Sequence, residues 1–581
     1  MKKNIFSFST TRERIARLSL RGRVFFATSL ALLVIGACGA LVSFSNRFTT
    51  EVPQFGGTYH EGIVGIPRFI NPVLANSDAD HDLTSLVFSG LVRKGPDGAL
   101  IPDLAQEWTI SADGKTYTVT LKPGSVFHDG TPLTPEDIIF TVTKIQDPSI
   151  KSPLRVAWDG VTITSPDEQT VVFTLQKPYA GFLQQLTLGI LPEKLWQLVP
   201  VDAWQTSVYN SEAIGTGPYM IKNISRNKSG VPQLFTLKAF SQFVLGKPYM
   251  KNVVIETFAK KTDAYEALAN NSIDELAMVD SSDVDQTAPN THTIITKSLP
   301  RVFGLFFNPS KNKLFADPAL IKALNLATDK KSLIDHIFDG YGTPLSGPLP
   351  ESLDSSASDF AAKQALAKSL LDKAGWKVNP ATGIREKTTS TTTGTGKKQT
   401  TQTSKQTLAF TLSTANTNDL EASAQLLAEQ YKEIGVAVTV KVFEIGTLNE
   451  NSIRGRDFEV LLFGQVIKHD TDIFAFWHSS QKATPGLNIT GYTNKQVDTL
   501  LESAIKETDH EKRFALYKKI SDQLATDAPV IFLYTPDAIA IMSSRVRNPV
   551  MPPIATPSDR FSLIYQWYLY TDHVWNIFIN H

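Results

Sequence analysis

An uncharged run of 21 residues, Val24–Phe44, constrains this chain more than any other feature. At 1.5 Å of rise per residue, a helix of that length crosses a hydrocarbon core of about 30 Å. Residues 1–23 carry seven Lys and Arg against the single acid Glu13, a bias that holds the amino side in the cytoplasm. Everything after Arg47 is therefore expected outside the membrane. The run is longer than the usual secretory h-region of about 7–15 residues, which favours an uncleaved anchor over a signal segment.

A second reading of 24–44 stays open, because Ile35-Gly36-Ala37-Cys38 resembles a bacterial lipoprotein processing site. Against it, Ala40, Leu41, Val42 and Phe44 continue the apolar run where a polar tether would follow. As the only cysteine, Cys38 excludes internal disulfides and any Cys-rich metal site. Beyond residue 23 the chain holds 50 basic against 56 acidic groups, a balance with no attraction for nucleic acid. At roughly 100–200 residues per domain, 581 residues imply two to four compact units.

After a short tether, Asn46 to Phe55, period-two and helical patterns alternate, so the fold class is α/β. Thr116–Leu121 and Thr170–Leu175 read as half-buried strands, the first entered through the turn Ser111-Ala112-Asp113-Gly114. Thr134-Pro135-Glu136-Asp137 opens a helix, with Thr134 as cap and proline at the first helical position. Further helices are expected at Asp263–Asn270, Pro318–Ala327, Asp359–Ala374, Asp419–Ile434, Asn494–Lys506 and Asp509–Thr526. Leu366, Leu370 and Leu371 are spaced for one buried face, as are Leu426, Leu427 and Tyr431. Lys387–Lys405 has no acid and no apolar side chain, which marks 387–405 as a disordered Thr-rich insertion or a solvated hairpin extension.

Three separated stretches resemble the family 5 extracellular solute-binding proteins of ABC importers. The first runs from Leu86-Val87-Phe88-Ser89-Gly90-Leu91 through Pro102-Asp103-Leu104-Ala105 and Trp108 to Phe127-His128-Asp129-Gly130-Thr131-Pro132. Gly215-Thr216-Gly217-Pro218-Tyr219 with Gly246-Lys247-Pro248-Tyr249 forms the second. The third joins Leu305-Phe306-Phe307-Asn308, Ala323–Lys330 and Gly491-Tyr492-Thr493-Asn494. The resemblance implies a two-lobed periplasmic-binding-protein-like fold of type II behind one N-terminal transmembrane helix. Lobe one would take 51–298 plus 528–581, with an extra subdomain at 91–207, and lobe two 299–527. The chain would cross between them at Ser298–Val302 and Asp527–Val530. It further implies a monomeric receptor that binds peptides between its lobes and delivers them to ABC permease subunits, with no catalytic residues, metal or cofactor.

On that analogy the loop Gly65–Pro72, with Arg68, Phe69 and Asn71, faces Gly464–Asp472 across the cleft. Peptide receptors of this family hold the ligand amine with an aspartate after a Gly-Trp pair. Here that segment reads Gly464-Gln465-Val466-Ile467-Lys468-His469-Asp470-Thr471-Asp472, so Gln465 replaces the tryptophan. Lys468 stands near the expected carboxylate, and Asp470 and Asp472 follow it. Each acid is a ligand residue or merely a cap for a helix at Ile473–Trp477. His469 and His478 raise a nickel or other small-solute receptor as the alternative. Phe303, Phe306, Trp477 and Tyr492 line the cleft or pack the core, and Asn308 ends a strand. An extracytoplasmic hydrolase would have to use His128–Asp129 or His469–Asp470, without a Gly-x-Ser-x-Gly elbow or a His-Glu-x-x-His helix. Gly215–Tyr219 lacks the lysine of a phosphate loop and reads as a turn.

Overall fold

The structure is a computed structural model that describes residues 19–287, 291–354, 359–393, 400–467 and 473–576. Helix α1 (Leu20–Phe48) contains the apolar run, and its window Leu20–Ala37 is long and apolar enough to cross a membrane. It passes directly into β1 (Thr49–Gln54), which pairs with the last strand of the chain, so the expected tether is mostly strand.

A twelve-stranded sheet runs through the rest of the molecule. Its first half is built from β2 (Gly56–Val64), then β3 (Tyr219–Arg226), β4 (Pro232–Ala239), β5 (Met250–Phe258), β6 (Glu275–Ala277) and β7 (His292–Ser298). The second half uses β8 (Arg301–Phe307), β9 (Ala409–Ala415), β10 (Ala437–Phe443) and β11 (Val460–Val466). One long strand, β12 (Val530–Ser543), belongs to both. The order is β10-β9-β11-β8-β12-β6-β2-β5-β4-β3, with β7 and the short strand Gly342–Pro344 also on β12. Buried apolar side chains form two large clusters, the first joining Tyr59–Ile255 with Met542–Leu569 and the second spanning Val302 to Tyr534.

The chain passes between the halves twice, at Leu299-Pro300 and within β12 at Pro536-Asp537. The second passage corrects the expectation of Asp527–Val530. Ala528 does end a helix there, in a left-handed cap, yet Val530–Tyr534 still pair with β8 and pack in the second cluster. Residues 528–536 thus stay with the second half.

Local signals formed as the residues dictate. Thr134 and Asp137 make a capping box on Pro135–Gln146, and Asp359, Asn494 and Asp509 each cap the expected helix by accepting a backbone N–H. The strands Ala105–Ile110, Thr116–Leu121, Thr170–Thr174 and Thr162–Asp167 form a separate four-stranded sheet inside 91–207. Its apolar face merges with the first cluster. Leu427 and Tyr431 are buried as their spacing requires, but Leu366 is 50% exposed, so only Leu371 and part of Leu370 serve the core. Of the two readings of 387–405, the hairpin is the one that formed. Arg385–Thr393 pairs antiparallel with Thr400–Thr407, consistent with the strand preference of β-branched threonine.

A buried charge cluster ties the first half together. Arg560, on the 3-10 helix Pro557–Gln566, forms hydrogen bonds with both oxygens of Asp82 at 2.9 and 2.8 Å and with Glu61 Oε1 at 3.2 and 2.8 Å. Tyr59 Oη touches Glu61 Oε2 at 2.5 Å and also contacts Glu275 Oε2. A phenol has one proton to donate, so one of the two glutamates must donate its own proton to Tyr59. Burial pushes both carboxyls above the usual carboxylate range, as the shared proton requires. A group raised in the folded state contributes stability that is full below about pH 4.5 and is lost as pH rises through the folded value. Unfolding free energy should therefore fall with rising pH above about 4.5, by at most about 1.4 kcal/mol per unit for one proton. Glu275→Gln should flatten that slope in urea titrations from pH 5 to 8; an unchanged slope would exclude the shared proton.

Candidate functional site

The carboxyl ends of the parallel strands of both halves point at the two passages. β6 pairs parallel with β2 and antiparallel with β12, with Ala277 opposite Ala540, so its end lies toward Asp537. β5 runs parallel to β2 as well. In the second half, β9 is parallel to β10 and β11, and Val466 at the end of β11 lies opposite Arg301. Ile467 N–H then donates to Pro300 O at 2.7 Å. Open α/β sheets bind ligands outside such strand ends. Here two sets of ends converge on the two passages, where the family resemblance puts the ligand crevice.

The waist of that crevice is a two-stranded antiparallel ribbon, β7–β8 against β12. Leu299 N–H donates to Pro536 O at 2.9 Å, and Ser298 Oγ donates to Asp537 Oδ1 at 3.1 Å. Thr535 Oγ1 donates to Leu299 O at 2.5 Å. Burial raises the Asp537 carboxyl, while Ser298 opposes the shift. Sequence reasoning missed Asp537, although Pro536-Asp537 punctuates an otherwise apolar strand.

The first wall is the loop 65–77, which leaves β2 at Gly65 (φ +114°) and leads into α2 (Asp78–Val87). Asp80 holds it from inside. Its Oδ1 accepts Arg68 N–H at 2.6 Å and Phe69 N–H at 2.9 Å, and its Oδ2 accepts Asn76 and Ser77 N–H at 3.3 and 3.2 Å. That leaves the Arg68 side chain exposed, its guanidinium 5.4 Å from the centre of the half-buried Phe69 ring. Asn71 differs from the expectation of a ligand residue. It is fully buried, accepts Val73 N–H at 2.9 Å and donates to Asn210 Oδ1 at 3.0 Å, so it braces the loop. Ser77 with Asp80, a capping box, was the available signal for the residue that organises this wall. A cavity of about 270 Å³ adjoins the loop, bordered by Pro72, His81, Thr84, Ser85, Leu154 and Gly189.

On the second wall, Lys468, His469, Asp470 and Asp472 lie outside the described residues. Gln465 is 4% exposed and lies opposite Val302 in the pairing of β11 with β8, next to the passage at Leu299-Pro300. The helix expected next is present at Ile473–Trp477. Trp477 and Phe306 are core residues, Phe303 stacks on Tyr534 at 5.0 Å, and Tyr492 donates to Asp527 Oδ2 at 2.5 Å. Asn308 is buried and donates to Arg456 O at 3.0 Å just after β8, a strand-end role. Away from the waist, the 91–207 subdomain touches the second half where Ala180 N–H donates to Ile505 O at 3.0 Å.

Of the two histidine pairs, only His128–Asp129 lies among the described residues, and it is built as a brace. His128 Nδ1 accepts Gly215 N–H at 3.3 Å and its Nε2 faces Gly217 O at 3.0 Å, while burial pushes the imidazole down to about 4. It is a neutral brace under the Gly215–Tyr219 turn. A Cβ at Gly215 would stand 2.1 Å from Val87 O, which explains the glycine without a phosphate. His478 stacks on Phe474 at 4.3 Å, with Nδ1 2.7 Å from Ser480 Oγ and Nε2 3.4 Å from Glu502. Among the described residues, no group of three or more His, Cys, Asp or Glu is placed to hold a metal ion.

Residues 99–485 match the model of the bacterial extracellular solute-binding proteins, family 5 Middle. The oligopeptide-binding protein AppA of Bacillus subtilis is 27% identical over 525 residues, covering 87% of this chain and 92% of its own. The AppA structure from Bacillus subtilis in complex with a nonapeptide superposes with a TM-score of 0.61 at 25% identity, over 89% of this chain and 100% of that one. NikZ from Campylobacter jejuni, in complex with Ni(L-His), superposes with a TM-score of 0.62 at 26% identity, over 88% of this chain and 99% of that one. With a family model spanning most of its length, and strand ends of both halves meeting at the passages, this chain belongs to the family 5 bacterial extracellular solute-binding proteins.

Proposed function

We propose that this chain is the receptor of an ABC importer, held at the outer face of the membrane by α1 as an uncleaved anchor, and that it binds peptides in the crevice. The convergence of both halves' strand ends on a two-stranded waist carries this reading. Such a waist lets two lobes, meeting near residues 299–300 and 536–537, close on a ligand and shift an open–closed population that permease subunits recognise. No bond is broken in that cycle, and one copy of the chain suffices. The peptide backbone supplies the shared hydrogen bonds, and pockets accept its side chains. The cavity beside Pro72 is one such pocket. Arg68 and Phe69 are the ligand contacts of the first wall, and Lys468, Asp470 and Asp472 are assigned as ligand residues on the family's sequence pattern alone.

Asp470→Ala with Asp472→Ala is expected to weaken peptide affinity at least tenfold, about 1.4 kcal/mol, in calorimetry on residues 51–581. Unchanged affinity would remove the amine anchor and leave the backbone mode alone. Mass spectrometry of the solute that co-purifies identifies the ligand directly, and cleavage of an added peptide mixture over time would contradict a receptor that releases its guest intact. The similarity to NikZ supports a nickel chelate as the second reading, distinguished by titrating Ni²⁺ with histidine in the same calorimeter.

A further inference from the structure

We propose that Trp575, at the end of the chain's last strand, is a second membrane contact, seated in the headgroup layer of the leaflet that α1 leaves. The proposal rests on the reading of α1 as a retained anchor. Helix α1 ends at Phe48 and β1 begins at Thr49, with no linker between them. β1 pairs along its whole length with β13 (Tyr570–Trp575), from Thr49 opposite Trp575 to Gln54 opposite Tyr570. The register therefore sets Trp575 level with the residue after the helix end.

That level is the membrane interface. The apolar run stops at Phe44, and four further residues at 1.5 Å each place Phe48 about 6 Å beyond the hydrocarbon edge. The polar layer of a leaflet is about 5–8 Å thick, and Trp is enriched in it because an apolar ring with one N–H suits a half-wet environment. Trp575 is 46% exposed and Phe48 43%, with Arg47 in the last helical turn at the height of the lipid phosphates. An exposed indole at this height would otherwise present apolar surface to water.

The base of the ribbon is equally constrained. A Cβ on Gly57 would stand 2.7 Å from Leu569 Cδ1, so β2 enters hard against β13, and Lys247 Nζ lies 3.4 Å from the centre of the Phe55 ring. Six paired residues at about 3.3 Å give a stiff spacer of roughly 20 Å. The first half of the receptor then stands at a set height above the bilayer, and the chain's last strand is part of the mount.

The test uses the full chain in phosphatidylcholine vesicles containing lipids brominated near the headgroup, which quench only nearby indoles. The other seven tryptophans lie in the body of the protein. Quenching is expected in the native chain and lost in Trp575→Phe, which keeps an aromatic strand residue and leaves the thermal midpoint unchanged. Equal quenching in both, or none in either, while the chain stays with the vesicles through an alkaline wash, overturns this proposal alone. A chain that the wash releases overturns the anchor reading and this proposal with it.

Discussion

Arg560→Met is expected to destabilise the first lobe by about 3–5 kcal/mol, the cost of stranding buried charges when one partner of a buried ion pair is removed. Arg560 is 2% exposed and bridges Asp82 on α2 with Glu61 on β2, while Glu275 Oε1 lies 3.9 Å from its Nε. Methionine fills much of the volume but leaves Asp82 and Glu61 buried without their counterion. They can escape only by taking up protons, so the loss should be larger at pH 8 than at pH 5. Lysine should not rescue, because a point charge cannot reproduce the fork that serves two carboxylates at once. Denaturant unfolding followed at both pH values measures the effect; a loss under 1 kcal/mol at pH 8 would show that the cluster is not held by its arginine.

Trp477→Ala should cost a similar 3–5 kcal/mol, but in the other lobe. Its indole is 1% exposed, with ring centres 5.8 Å from Phe532, 6.2 Å from Tyr492 and 6.4 Å from Phe306, so truncation leaves a cavity between three aromatic walls. Trp477 lies in one apolar cluster, and Arg560 packs against Phe561 of the other. If the halves are lobes hinged at the waist, calorimetry should show Arg560→Met lowering one transition and Trp477→Ala the other, with additive effects in the double variant. A single transition displaced equally by both would mean that the halves unfold as one body and that the hinge at Pro536-Asp537 is not the weak seam.

The legible parts of this chain were those whose physics is local. The helix at Pro135 followed from Thr134 and Asp137, three residues apart, and the alternation in Thr116–Leu121 reports one strand's two faces. Leu366 misled because spacing names a face of a helix without saying how much of it a neighbour covers. For the threonine-rich insertion, composition showed that it buries no core, and of its two readings the hairpin formed because backbone pairing needs none. Asn71 lies in the loop expected to face the ligand, yet its side chain turned inward to Asn210, a partner 139 residues away.

By itself the sequence determined the apolar N-terminal helix, the helix caps, the strand periodicity and the motif order that carries the family, all written in neighbours a few residues apart. Only the tertiary structure decided where the chain crosses between halves, that Arg560 meets Glu61 across 499 positions, and that Trp575 returns to Thr49. Those pairings depend on the register of distant strands, and register is set by the sum of many weak packing and hydrogen-bond energies that no single stretch of chain contains.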